Sequence, residues 1–149
     1  MRVTLQRVKS AQVTVAGEEL GAIQQGLLLF VGIAPTDGLA TINQMAAKIV
    51  KMRIFEDQAG KMNLSLPQVQ GNILSISQFT LYADTRKGNR PSFQGAAQPT
   101  LAKQLYQAFN QALTHELGQP IATGEFGADM LITAVNDGPV TINLELPHD

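Results

Sequence analysis

Met130-Leu-Ile-Thr-Ala-Val-Asn-Asp-Gly-Pro-Val-Thr-Ile-Asn-Leu-Glu-Leu146 is the stretch on which the reading of this chain turns. From Val140 to Leu146, apolar Val140, Ile142, Leu144 and Leu146 alternate with Thr141, Asn143 and Glu145, the period of a half-buried strand. Met130 to Val135 is also strand-like, so Gly138-Pro139 interrupts two strand-forming runs. Proline donates no ladder hydrogen bond and is confined within sheets to edges, strand starts and bulges. One reading is a hairpin turn over Asn136-Asp137-Gly138-Pro139. The other holds the two carbonyls outward, where a ligand can reach them.

Upstream, strand-like segments run over residues 2–9, 11–16 and 19–24, punctuated by Gly17 and Gly26. The apolar run Leu27-Leu-Leu-Phe-Val31 predicts a buried strand over 27–33. Thr36 or Asp37 is expected to cap a helix whose Leu39, Ile42, Met45, Ala46, Ile49 and Met52 form one face. A short strand at Arg53–Phe55, a turn at Asp57–Gly60 and a strand over Ile73–Tyr82 follow, then a long polar loop from Ala83 to Gln98. Pro99 begins a second helix with Leu101, Leu105, Phe109, Ala112, Leu113 and Leu117 in one stripe, stopped by Gly118 and Pro120. About eight strands and two main helices predict an α+β fold: a curved, largely antiparallel sheet with a barrel-like core, covered by helices. No repeat or linker divides the chain, so residues 1–149 read as a single domain.

Composition narrows the function. The 149 residues are 44% hydrophobic and 15% charged, as a folded globular chain requires. With no cysteine, disulfides and thiolate zinc sites are excluded, and a reducing compartment is expected. The amino-terminal residues alternate apolar with polar and lack an apolar h-region, so no signal peptide is expected. The longest apolar run is far short of the roughly 20 residues that span a bilayer. A cytoplasmic protein with no membrane association is expected. The net charge of −1 argues against indiscriminate nucleic-acid binding. Arg86, Lys87 and Arg90 nevertheless fall in one Gly-containing loop, which is either solvated surface or a local phosphate contact.

Familiar catalytic constellations are missing. His115 lies late in the second helix, where the macrodipole favours it, and His148 is penultimate. His115-Glu116 lacks the second histidine of a metalloprotease helix, so no metal site is expected. Glu18-Glu19 and Glu56-Asp57 read as solvated turns rather than acid–base pairs. No Walker loop, dinucleotide glycine pattern or nucleophile elbow appears, and no cofactor is expected. Ser77-Gln78-Phe79-Thr80-Leu81 stands out instead. It is either an edge strand with a polar face, or an uncharged site whose hydroxyl, amide and backbone N–H groups bind an ester and stabilise an oxyanion. Thr80 as nucleophile is the weaker idea, because a threonine hydroxyl needs a neighbouring base and the segment holds none.

Taken together, Ser77-Gln-Phe-Thr-Leu81, Lys87-Gly-Asn-Arg-Pro-Ser-Phe93 and Asn136-Asp-Gly-Pro-Val-Thr141, with the opening Met1-Arg-Val-Thr-Leu-Gln-Arg-Val8, closely resemble the D-aminoacyl-tRNA deacylase family. The likeness covers essentially the whole chain. It implies a homodimer, with sites shared across the interface, that hydrolyses the ester joining a D-amino acid, or misplaced glycine, to the terminal adenosine of tRNA. It further implies a cis Gly138–Pro139 bond whose carbonyls reach into the partner's pocket and contact the substrate's α-amino group and Cα. Ser77, Gln78, Phe79 and Thr80 would line that pocket. An aminoacyl ester is already activated, so the ribose 2′-hydroxyl can orient or activate water while the Phe79 N–H supplies the oxyanion donor. Rigid carbonyls beside Cα would reject an L side chain while admitting glycine. Two rivals remain: a threonine-dependent esterase or amidase acting on small D-amino-acid derivatives, and a non-catalytic nucleic-acid-binding module, disfavoured by charge and by few aromatics.

Overall fold

The first strand organises everything else. In the computed structural model, which describes residues 1–146, β1 (Arg2–Val15) runs unbroken where two strands were expected. One edge pairs antiparallel with β2 (Glu18–Ile23) and β3 (Gly26–Gly32), and the other with β8 (Leu131–Glu145). β3 runs parallel to β6 (Asn72–Ser77), and β6 parallel to β7 (Ala122–Thr123). The sheet is therefore mixed. β2 comes back against β7, where a Cβ added at Gly21 would lie 3.1 Å from the Thr123 carbonyl oxygen. The sheet thus nearly closes into a barrel. The hairpin β4 (Phe55–Glu56) and β5 (Met62–Leu64) stands apart.

Continuous burial of β3 follows from cover on both faces. Leu27, Leu29 and Val31 pack with Val3 and Leu5 against helices α1 (Leu39–Lys51) and α2 (Pro99–Leu117). Leu28 joins Val8, Val13, Ile23, Leu74 and Ile76 in a second core inside the curved sheet. Where β3 enters, Gly26 passes so close to Asn72 that an added Cβ would overlap the Asn72 carbonyl oxygen. Helix α2 begins at Pro99 and ends on Gly118 in the left-handed conformation, as its stop signals predict.

Helix α1 departs from expectation at its start. Its N-cap is Gly38, with no side-chain cap, and Leu39 is exposed rather than part of the buried stripe. Asp37 is engaged elsewhere: its buried carboxylate accepts from the Ala34 N–H at 2.7 Å and from the Met1 ammonium at 2.7 Å.

The Asn136–Pro139 hairpin does not form, because both flanking runs pair with the same β1 and no reversal is possible. Gln6 is opposite Thr141 and Val8 opposite Asn136. A single β1 residue, Arg7, thus faces Asp137–Val140, which bulge out of the ladder at the proline that cannot donate to it. The strand expected over 73–82 also stops early. Gln78 N–H reaches Val31 O at 2.7 Å where β3 ends, and the chain then turns into a 3-10 helix, Phe79–Tyr82. Among the described residues, no helix is long and apolar enough to cross a membrane. His148 lies outside the described residues.

Candidate active site

Two separate features carry the site residues. The first is the turn that ends β6. The 3-10 geometry commits the Leu81 N–H to Gln78 O at 3.2 Å and the Ala83 N–H to Thr80 O at 3.0 Å. The leading donors of such a turn have no partner inside it. Among the described residues, the Phe79 and Thr80 N–H groups have no acceptor. Phe79 is 54% exposed, and its ring meets Phe93 edge-on at 5.1 Å between centroids. A cavity of about 630 Å³ opens here, with Ser77, Gln78 and Phe79 on one wall and Phe126 to Met130 on another. Among the described residues, Asp129 is the only charged one lining it.

Thr80 is not set up as a nucleophile. Its Oγ1 accepts a 2.5 Å hydrogen bond from the Gln78 side-chain amide, and no base contacts it among the described residues. Ser77 and Gln78 line the cavity at half-buried positions. Thr80 itself is not among the residues lining the cavity. What this geometry offers is an unspent backbone donor at Phe79 lining an open, nearly uncharged cavity, with a second at Thr80 next to it in the chain, an arrangement suited to stabilising a developing oxyanion.

The second feature is the bulge. Gly138 and Pro139 are exposed, the bond between them is cis, and Gly138 has φ +127°, which glycine alone adopts readily. A Cβ there would also lie 3.1 Å from Val140 and 3.2 Å from the Arg7 guanidinium. Arg7 underlies the bulge: it is 4% exposed, its Nη1 donates to Ile54 O at 2.7 Å and its Nε to Asp137 O at 3.1 Å. The Asp137 carboxylate lies 3.6 Å from Nε. Gly138 and Pro139 do not line the 630 Å³ cavity of their own chain. Within one chain, then, the two motifs are not brought together.

Arg7 escaped the sequence reading, although its position continues the inward series Val3, Leu5, where a cation demands buried partners. The Phe126–Met130 wall left no sequence signal beyond a lone aromatic in a Gly-containing loop. The basic loop is divided in its commitments. Arg86 is held by Asp84 at 2.6 Å, which drives the Asp84 carboxyl down to about 2 and raises the guanidinium. Lys87 and Arg90 are exposed, with no carboxylate partner among the described residues. His115 is exposed on the last turn of α2. Among the described residues, no three His, Asp or Glu side chains converge as a metal set.

A pocket with a single charged residue and free main-chain donors suits an ester-processing hydrolase, and comparison with known proteins makes the class specific. The family model for D-Tyr-tRNA(Tyr) deacylase matches residues 4–145, and the chain belongs to that family. It is a hydrolase of D-aminoacyl-tRNA. Among solved structures, one titled "c-Myc DNA Unwinding Element Binding Protein" is 39% identical, with a TM-score of 0.92 over 99% of this chain and 100% of that one. A second, described as a probable eukaryotic D-amino acid tRNA deacylase, is 15% identical with a TM-score of 0.84, covering 96% of this chain and 98% of its own. At that identity it bears on the fold alone.

Proposed function

We propose that this enzyme performs chiral proofreading: it removes D-amino acids, and glycine from the wrong tRNA, and spares L-aminoacyl-tRNA. The observation that supports the reading is the uncommitted N–H of Phe79, a residue that lines a cavity with no acid–base pair, followed by the uncommitted N–H of Thr80. The substrate's carbonyl oxygen sits against the Phe79 N–H, and Ser77 and Gln78 orient the ester. The terminal ribose 2′-hydroxyl positions the attacking water, so the RNA supplies what the side chains lack. Well-oriented neighbouring groups can lower a barrier by about 7–11 kcal/mol. An oxyanion donor adds about 10²–10³-fold.

Stereochemistry is assigned to Gly138 and Pro139 of a second copy. Because these residues are exposed and outside their own chain's cavity, a homodimer in which each bulge enters the other subunit's cavity brings gate and pocket together. The Gly138 and Pro139 carbonyls then receive the α-amino group and crowd the side of Cα where an L side chain would project. Arg86, Lys87 and Arg90, on the loop between Phe79 and Phe93, contact the RNA. The substrate and the absence of cysteine accord with a cytoplasmic enzyme.

Replacing the terminal 2′-hydroxyl by hydrogen on D-Tyr-tRNA tests the chemistry. The account expects hydrolysis to slow by about 10²-fold or more, the size of a lost general-base contribution. An unchanged rate would assign the chemistry to the protein alone. The 39% identical relative named for DNA binding favours a second reading, a nucleic-acid-binding module. Retention of aminoacyl-tRNA without ester loss is the result that would select it.

A further inference from the structure

We infer that the α1–β4–β5 corner is a second phosphate-binding surface, supplied to each site by the subunit that contributes Gly138 and Pro139; this rests on the dimeric deacylase reading above. Three of the eleven Lys and Arg residues are ion-paired, Arg2 with Glu145, Arg7 with Asp137 and Arg86 with Asp84. Of the eight without a carboxylate partner among the described residues, four fall in one corner: Lys48, Lys51, Arg53 and Lys61, all exposed. Against these four cations the corner carries two acids, Glu56 and Asp57, so it keeps a net positive charge, and neither acid is ion-paired with any of the four. Asp57 is spent on the turn, accepting from the Ala59 and Lys61 N–H groups at 2.9 and 3.0 Å, and Glu56 has no ion pair.

The corner is tied to the bulge by one side chain. Arg7 donates to Ile54 O and to Asp137 O at once, which ties Ile54, the residue after Arg53, to the segment that carries Gly138. The helix macrodipole accounts for cations in the last turn of α1, at Lys48 and Lys51. It does not account for Arg53 and Lys61, which lie beyond the helix. Arg53 is also fixed, with Nε donating to Asn63 O at 2.9 Å and a second bond to the Asn63 side chain. In the proposed dimer, a bulge that enters the partner's cavity carries this corner with it through the Arg7 tie, toward the nucleotides that precede the esterified adenosine. Lys87 and Arg90, exposed on the loop between Phe79 and Phe93, are the basic residues that the pocket subunit would contribute. The ligand is a single-stranded sugar-phosphate backbone gripped between two basic flanks, one from each subunit.

The double variant K51E/K61E tests this, because neither side chain has a hydrogen-bond partner among the described residues. kcat/KM is measured on D-Tyr-tRNA from low to moderate salt, and on 3′-O-(D-tyrosyl)adenosine, which has no phosphate chain. The expected result is a loss of about tenfold or more on the tRNA at low salt, and a salt slope shallower by about 1–2, since each contact contributes roughly 0.7 to the slope for single strands. The rate on the adenosine ester stays within about twofold, as an electrostatic contact outside the pocket predicts. Unchanged tRNA kinetics, or an equal loss on both substrates, would overturn the inference. Failure of the unmodified enzyme on D-Tyr-tRNA would instead overturn the deacylase reading.

Discussion

Thr80 holds a hydroxyl in the middle of the most chemically suggestive segment, yet it accepts a hydrogen bond from Gln78 and meets no base. Thr80→Ala is therefore expected to keep hydrolysis of D-Tyr-tRNA within about tenfold of the parent, whereas removing a covalent nucleophile costs on the order of 10⁶-fold. A single-turnover assay on the folded variant decides between them. The two tyrosines supply a second test. Burial, reinforced by Asp37, pushes Tyr82 up to about 12, and burial raises Tyr106, whose hydroxyl donates to Ser75 O at 2.7 Å. Both phenols keep their protons above the pH at which the unfolded chain releases them. Stability is thus full below about pH 10 and falls as the pH rises toward 12, because the unfolded state binds fewer protons there. Denaturant midpoints across that interval should decline, and phenolate absorbance should show no titration near 10 in the native protein. A native step at 10 would contradict the packing around both rings.

The elements show why some of the fold was legible and some was not. Asp37 illustrates the difference. The sequence places it as a helix cap, since a local rule is all that can be read there, while the folded chain uses it to neutralise an ammonium 36 residues away. Both groups of that pair are buried, so Asp37→Ala leaves an uncompensated charge and is expected to cost about 3–5 kcal/mol in chemical denaturation. A change below about 1 kcal/mol would mean that the ammonium finds water instead, as exposed pairs do. Strands with strong alternation, both helices and the Gly118 stop were legible because their signals are local. The bulge at Gly138 was not: its hairpin-like composition is correct for a turn, and only the long pairing partner β1 forbids the reversal. The turn after Ser77 was likewise hidden, since it depends on where β3 stops. The candidate site was legible as two motifs, but their separation within one chain and the Arg7 support beneath the bulge are properties of the folded sheet.

At the scale of the whole molecule, β1 and β8 carry the bulge on one side of a nearly closed sheet, and the turn after β6 opens the cavity elsewhere. Neither half has the side chains for unaided ester hydrolysis, and together they need none. In the proposed mechanism, main-chain donors hold the oxyanion, main-chain acceptors of a second copy examine Cα, and the nucleotide delivers the water. Such a gate reads the presence of a substituent on one side of Cα and is indifferent to its identity, as exclusion by backbone atoms requires. Broad use of D-amino acids and an inability to refuse glycine are what the proposed gate predicts. The most direct measurement is ester loss from D-Tyr-tRNA, L-Tyr-tRNA and Gly-tRNA, followed side by side with the unmodified enzyme. The account predicts rapid loss from the D and glycyl substrates and an L ester no shorter-lived than in buffer. Comparable hydrolysis of the L ester, or a D ester left intact, would contradict it.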